Sequence, residues 1–491
     1  MSLILIILVV TLTSLFAIFR FKHRRFYKLA AKIPKLPGGL PIIGATHIFM
    51  TAEPKDYLPI MLDMIKKDMV IGSVWFGTQF AVILNTVEDF QKVLTSPNCI
   101  NKPKLLFDAF FSDSASFCVN NNPHEKRRKL LNPSFTSLML NKTNFHTNET
   151  IKGFINKINA KSDGKTIDIY HDIAACALRG TLHAHFDYDD DSLDYKVVKG
   201  FDDFKPLIMQ RLGKPWLSFK PFFKLSKLSK QVEAVRTPIY ECINKIIESN
   251  KHHRIKLEGR CVSTIRQLLD TKQKLSDEEI AEEIFIFIYA SHETSALALS
   301  ACLLLLAMHK NVEEKVFEEI KNAKLSEEFT SISNEETQSF PYIEMVIKET
   351  MRLFPPVAVT FRETIAEVEV GDYLIPPDTI VGLPVLLIHR NEKIWGKDAG
   401  SFRPERFEPE EFKKIPQFAF LPFLLGKRTC IGYKYAMYFM KIFIINFVKN
   451  YKVETDLKFD ELKTQMTPAT SLLQAIQLKL LKGSENFLIG Q

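Results

Sequence analysis

Phe423 to Gly432 reads FLLGKRTCIG, a lone cysteine with a phenylalanine seven residues before it, a glycine four before, an arginine two before and a second glycine two after. At ordinary residue frequencies, five fixed residues at fixed offsets arise in a chain of this length with a probability below about one in ten thousand. The spacing therefore calls for a chemical reason. A cysteine followed by a helix start, here Ile431 onward, gains from the helix N-terminus, which lowers a thiol's pKa and favours the thiolate. Gly426 and Gly432 leave room for a flat ligand and for backbone N–H groups to point at the sulfur. Arg428 supplies charge for an acidic group on that ligand. These are the needs of a haem iron with an axial thiolate at Cys430.

Four further groups carry chemistry. Ala290 to Ser295 reads ASHETS and sets His292, Glu293 and Thr294 inside an otherwise apolar run. Glu349 and Arg352 stand at i and i+3, on one helix face. Phe402 to Phe407 reads FRPERF, and His124 to Lys129 reads HEKRRK. Each has a bland reading: a lone cysteine is more often a small buried hydrophobe, an i, i+3 charge pair is most often solvated, and a basic run is usually an exposed face. Cys176, Cys242 and Cys302, in helical patterns, fit the buried reading.

Taken together and in order, these segments resemble the cytochrome P-450 family. Phe423, Gly426, Arg428, Cys430 and Gly432 match its FxxGxRxCxG haem-binding pattern, Glu349 and Arg352 its ExxR, FRPERF its PERF segment, and ASHETS its oxygen-activation motif. The resemblance implies a mainly α fold, a large helical domain with a smaller β-rich portion. It also implies a non-covalently bound haem b with Cys430 as iron ligand, and a buried charge triad of Glu349, Arg352 and Arg406. Haem carboxylates would meet Arg428, Arg128, Arg362 and His124, the last standing where a tryptophan is common; an imidazole can donate there but titrates near neutral pH. Thr294 and Glu293 would position water and relay protons to the distal oxygen.

The implied activity is a monooxygenase that inserts one oxygen atom from O2 into a lipophilic substrate with NADPH-derived electrons. No nucleotide-binding glycine loop is present, so an NADPH-dependent flavoprotein reductase is the implied electron source, with cytochrome b5 as a second donor. Lys126, Arg127, Lys129, Lys427 and Lys434 would form its docking face. RLGKPWL from Arg211 to Leu217 and KETMRLFPP around Arg352 look like the fatty-acid ω-hydroxylase branch. Ala290 stands where that branch often carries a glutamate that esterifies haem, so removable haem is expected. Phe107 to Phe111, Ala290, Ala358, Val359, Ser471 and Leu472 would line the pocket, mostly with apolar groups. Ser291, Leu424 and Phe439 also depart from the usual pattern. Two alternatives stay open: a reductase-independent isomerase or dehydratase of the same fold, and, motivated by Ser291 and His124, a haem-binding protein without catalysis.

Several elements must position these groups. A capping-box start at Ser276 to Glu279 opens a helical pattern running to about His309. Its second half is apolar on nearly every face, but a second membrane span would bury His292 and Glu293 in lipid, so a core helix is expected. Val70 to Leu84 reads as a hairpin around Gly77-Thr78, and strand character returns at Glu367 to Ile388. Ile33 to Gly44 is Pro/Gly-rich and reads as a stiff hinge. Before it, LILIILVVTLTSLFAIF and a basic run from Arg20 to Arg25 read as an uncleaved anchor rather than a signal peptide, because the charges follow the apolar stretch. The expected organisation is thus an anchor over 1–25, a basic, proline-rich hinge over 26–44 and a haem-binding catalytic domain over 45–491, held on the cytosolic face of the endoplasmic reticulum membrane. The sequons at Asn141 and Asn148 should then stay unmodified.

The chain has 491 residues, 46% hydrophobic and 25% charged, with a formal charge of +8. That suits a large core, is too mild a charge for a nucleic-acid binder and favours an acidic partner or an anionic membrane. Seven scattered cysteines without a CxxC pair suit neither a disulfide framework nor a zinc site and point to a reducing compartment.

Overall fold

Ser276 caps the longest helix, Asp277–Met308: its hydroxyl accepts the Glu279 N–H at 3.1 Å while the Glu279 carboxylate accepts the Ser276 N–H at 2.9 Å. The reciprocal box expected from the sequence is therefore formed. This helix packs against Tyr170–Phe186, Lys227–Lys251, Pro341–Leu353 and Tyr433–Asn450. Its apolar window is 83% buried within the protein, which makes it a core helix rather than a second span. The coordinates, a computed structural model, describe residues 3–482 apart from 66–68, 111–114, 116, 119, 162–164, 252–262, 271–274, 324, 326–330, 468 and 473. Phe111 and Cys261 lie outside the described residues.

The β portion is small. Strands β1 (Ile71–Phe76) and β2 (Gln79–Leu84) form the expected hairpin, with Trp75 opposite Phe80 and Gly77 at φ +59° in the turn. β4 (Thr360–Glu363) and β7 (Ile380–Leu383) complete a four-stranded sheet of order β1-β2-β7-β4. Between them β5 (Val368–Val370) pairs with β6 (Tyr373–Ile375). The expected strand region runs too far: after Pro384, Val385–His389 turns into a short helix, because proline cannot extend a ladder and fixes a helical φ.

β4 is one strand the sequence reading missed, and it missed the C-terminal sheets too. β3 (Thr166–Asp168), β8 (Tyr451–Glu454) and β11 (Gln477–Lys482) pair so that Lys479 stands opposite both Thr166 and Glu454. β9 (Thr464–Met466) pairs with β10 (Thr470–Leu472). β3, β9 and β10 are three residues long and β8 four, too short for alternation to be read, and β3 finds its partner β11 about three hundred residues away.

The proline-rich segment is not a free spacer. The Ser73 N–H donates to Pro34 O at 2.7 Å, the Leu36 N–H to Ser73 O at 2.8 Å and the Ala45 N–H to Trp75 O at 2.7 Å. Ile33, Leu36 and Ala45 are buried. An edge strand's N–H and C=O groups need partners, and this segment supplies them to β1. Before it, Leu3–Lys22 is helical, and Arg25 pairs with Glu367 beside β5.

Candidate functional site

The cysteine loop is built by its own backbone. The Cys430 N–H donates to Phe423 O at 2.9 Å and the Thr429 N–H to Gly426 O at 3.1 Å. Gly426 lies at φ +81°, and a Cβ there would stand 2.1 Å from Leu94 O. The glycine is thus required by its own conformation and by the backbone behind it. Leu424 also has a positive φ, +57°, a strained conformation for a branched side chain. A Cβ on Gly432 would meet only Cys430 Sγ, at 4.0 Å, which is ordinary contact.

The Gly432 and Tyr433 N–H groups, where helix Tyr433–Asn450 begins, approach the Cys430 sulfur, and they and Arg128 favour the thiolate. Burial outweighs them and pushes the thiol up. The helix N-terminus thus lowers the thiol as expected, but desolvation is the larger effect, and a coordinated cation would supply the remainder. Cys430 nonetheless keeps accessible surface, whereas the other described cysteines are buried.

Cations converge nearby. Arg128 Nη1 donates to Thr429 O at 2.9 Å, tying helix Asn121–Leu131 to the cysteine loop. Arg428 Nε donates to Ile100 O at 2.9 Å and its Nη2 to Asn120 Oδ1 at 3.2 Å. Arg362, on β4, is 2% exposed; its Nη1 donates to Phe361 O at 2.9 Å and its Nη2 has no hydrogen-bond partner among the described residues. Burial lowers Arg428 to about 9 and Arg362 to about 10. His124 is buried with Nδ1 unpartnered, and burial, with Arg428 and Arg128 next, lowers it to about 3. His124 is therefore a neutral imidazole, not a group titrating near neutral pH as the sequence suggested.

Lys102, which sequence reasoning missed, is 6% exposed beside them. Lys102, Arg128 and Arg362 have no carboxylate partner at ion-pair distance among the described residues. Buried cations without anions are costly unless an acidic ligand joins them. An accessible thiol beside a basic cluster and an orphaned guanidinium N–H fits haem: a ligand for the iron and partners for its two carboxylates.

On the central helix Ala290 is exposed and Ser291 and Thr294 partly so, although the residues around them are buried. Ala290 and Thr294 share one face, and the Thr294 hydroxyl donates to Ala290 O at 2.7 Å. Ser291 likewise bonds back to Ile288 O at 3.2 Å. The structure does not bring Glu293 to this face. Glu293 is 1% exposed and held by Lys205 at 2.9 Å and by the Tyr170 hydroxyl at 3.0 Å. One residue along a helix rotates a side chain by about 100°, so adjacent positions cannot share a face.

The charge triad is present. Arg352 donates twice to Glu349, at 2.6 and 2.8 Å, and Arg406 Nε lies 3.4 Å from Glu349, while its Nη1 donates to Trp395 O at 2.7 Å. Of the expected pocket residues, Phe107, Phe110, Val359, Ser471 and Leu472 are half-buried, whereas Ala358 is core, packed with Leu58 and Leu386. Lys126, Lys129, Lys427 and Lys434 are exposed. Arg127 leaves that face, since it pairs with Glu279 at 3.0 Å and Glu283 at 3.5 Å. Phe439 is fully buried, and its ring lies 2.9 Å from where a Cβ on Gly180 would stand.

The family model described as Cytochrome P-450 matches residues 34–482. Among curated proteins, the chain is 28% identical to "Probable cytochrome P-450 313a1" of Drosophila melanogaster, over 94% of this chain and 96% of that one. It is 25% identical to "Probable cytochrome P-450 4s3" of the same organism, over 95% of each chain. It is 24% identical to "Cytochrome P-450 4d1", also from Drosophila melanogaster, over 92% of this chain and 93% of that protein.

Proposed function

The chain belongs to the cytochrome P-450 family, the haem-thiolate monooxygenases, and from that premise we propose that it hydroxylates a lipophilic molecule with electrons from an NADPH-dependent flavoprotein. A fatty acid, a hormone-like lipid or a foreign compound fits the apolar lining. The observation that carries this reading is Cys430, its sulfur met by the N–H groups of Gly432 and Tyr433 and the residue itself accessible.

Bound haem b, held without a covalent link, supplies the iron at which dioxygen is reduced and its bond cleaved. Cys430 would hold the iron as its thiolate ligand and would supply electron density to it. Phe423 and Gly426 hold the loop in register through the Cys430 N–H and the strained turn. Arg428, Arg128, Arg362 and neutral His124 bind the carboxylates. Thr294, on the accessible face of the central helix, orders water and passes protons, releasing its hydrogen bond to Ala290 O when it does so. Glu293 acts at one remove: paired with Lys205, it fixes the helix turn that presents Thr294.

The helix Leu3–Lys22, about 30 Å long at 1.5 Å per residue, serves as the membrane anchor. The Arg20-to-Arg25 basic run then keeps the catalytic domain, residues 45–491, on the cytosolic face of the endoplasmic reticulum. Lys126, Lys129, Lys427 and Lys434 face the acidic reductase, with cytochrome b5 as a second donor for the same surface.

The test is reconstitution with a flavoprotein reductase and NADPH against a panel of lipids, with products identified by mass. Oxygenated product that requires both NADPH and O2 is expected. Turnover of a lipid peroxide without either would replace the reading with an isomerase. A ferrous carbon monoxide complex lacking the red-shifted Soret band would remove it altogether.

A further inference from the structure

Four residues open one stripe of the central helix Asp277–Met308. Phe287, Ser291 and Thr294 are half-buried and Ala290 is exposed, while Ile288, Tyr289, His292 and Glu293 between them are buried. Offsets of three, four and seven put the four on one helix face. Ser291 and Thr294 are its polar members. Standing three residues apart, their Cβ atoms lie about 5–6 Å from each other, a gap that one water with two hydrogen bonds of about 2.8 Å spans. The two hydroxyls are held unequally: Thr294 donates to Ala290 O at 2.7 Å, Ser291 to Ile288 O at 3.2 Å. Ile288 O is already crowded, because it takes the His292 N–H of the helix and the His292 Nδ1 proton at 2.6 Å. A carbonyl oxygen has two lone pairs, so Ser291 is a third donor and the one turned away at the least cost.

Resting on the reading of Thr294 as the residue that orders water beside bound haem, we propose that Ser291 is a positioning residue for that water. It turns from Ile288 O and, together with Thr294, holds one water molecule on the accessible stripe. The Ser291 O–H donates to the water, and the water donates to Thr294 Oγ1, whose own proton rests on Ala290 O. No proton leaves Ser291. An ordered water needs two to four polar partners, and two side chains on one rigid helix supply two of them without ordering any loop. The sequence marks Ser291 only as a departure from pattern; its place beside Thr294 on the one accessible stripe gives it this work. A serine that merely satisfies itself by back-bonding is the competing account, under which losing the hydroxyl costs one long hydrogen bond and changes nothing at Thr294.

The test uses the purified full-length holoprotein and two readouts besides turnover. A crystal structure of the wild type should show a water within hydrogen-bond distance of both Ser291 Oγ and Thr294 Oγ1, and one of Ser291→Ala should lack it. In the ferrous carbon monoxide complex, Ser291→Ala, Thr294→Ala and the double variant should all move the infrared C–O stretching band by the same amount with the Soret band unchanged, because each removes the same water. Ser291→Thr should keep the wild-type band. With reductase and NADPH, peroxide released per NADPH should rise about threefold to tenfold in Ser291→Ala, the size of one hydrogen bond's contribution. An unmoved band in Ser291→Ala would overturn the proposal, as would shifts that add in the double variant. Should Ser291→Ala fail to take up haem, the wild-type structure decides alone: Ser291 Oγ on Ile288 O with no shared water would overturn it. A wild type without the red-shifted ferrous carbon monoxide band would instead overturn the underlying function.

Discussion

Lys205 Nζ stands 2.9 Å from both carboxylate oxygens of Glu293, with Asp202 at 2.7 Å on its other side. The lysine comes from helix Asp194–Leu212 and the glutamate from the centre of Asp277–Met308, so the pair fastens one to the other. Burial opposes the lysine's charge, but Glu293 and Asp202 outweigh it and raise its pKa. Lys205→Met should cost about 3–5 kcal/mol by leaving a buried carboxylate unpaired, and Lys205→Met with Glu293→Gln should recover much of that. Denaturant titration checks this; equal stability of the single and double variants would contradict it.

Thr294 and Glu293 should separate in kinetics. Thr294→Ala should keep the ferrous carbon monoxide spectrum yet lower product per NADPH consumed by at least about tenfold, at the low end of a proton-relay contribution. Thr294→Ser should restore coupling. Glu293→Gln should lower stability more than coupling. Product, NADPH and peroxide measured together decide, and normal coupling in Thr294→Ala would remove the threonine from the relay.

Gly426→Ala should prevent haem incorporation. Its Cβ would stand 2.1 Å from Leu94 O at a φ of +81°, so the cysteine loop or the Leu94 backbone must move. Backbone clash with a forbidden φ costs about 3 kcal/mol or more. Haem content per chain after purification measures the outcome, and a full complement of haem in Gly426→Ala would refute the close approach.

Acid should unfold the protein in a definite window. The His389 Nε2 accepts the Leu421 N–H at 2.8 Å, and burial, with Arg352 next, lowers His389 to about 3. Burial lowers His185 to about 4. Both are neutral when folded and titrate near about 6.5 when unfolded. Their stabilisation is therefore complete above about pH 6.5 and lost below it, at about 1.4 kcal/mol per pH unit for each. Denaturation midpoints at pH 7 and pH 5 check this, and a shallower slope for His389→Gln locates one source.

Asn148 should carry no glycan in any compartment. It is 2% exposed, and its Nδ2 donates to Ile332 O at 3.1 Å, so the nitrogen an oligosaccharide would need is already buried and bonded. Mass spectrometry of the tryptic peptide after expression through a secretory route tests it; modified Asn148 would mean that this part of the fold opens.

The sequence by itself determined the cysteine loop, the ExxR pair, the capped central helix and the hairpin at Gly77. All rest on residues close together in the chain, where spacing is geometry. Only the tertiary structure decided which way the charges point. Glu293 and Thr294 are neighbours in sequence, yet one is buried against Lys205 and the other lies on the accessible face, because helical rotation is fixed by what packs around it. Gly426 makes space for the Leu94 carbonyl, a close approach that nothing near it in the chain announces. Lys102 looked like nothing, because its neighbours Arg362 and Arg428 are hundreds of residues away and are brought to it by Asn120 and the edge of β4. Electrostatic energy depends on distance through space and on burial, and neither is written in the order of the residues.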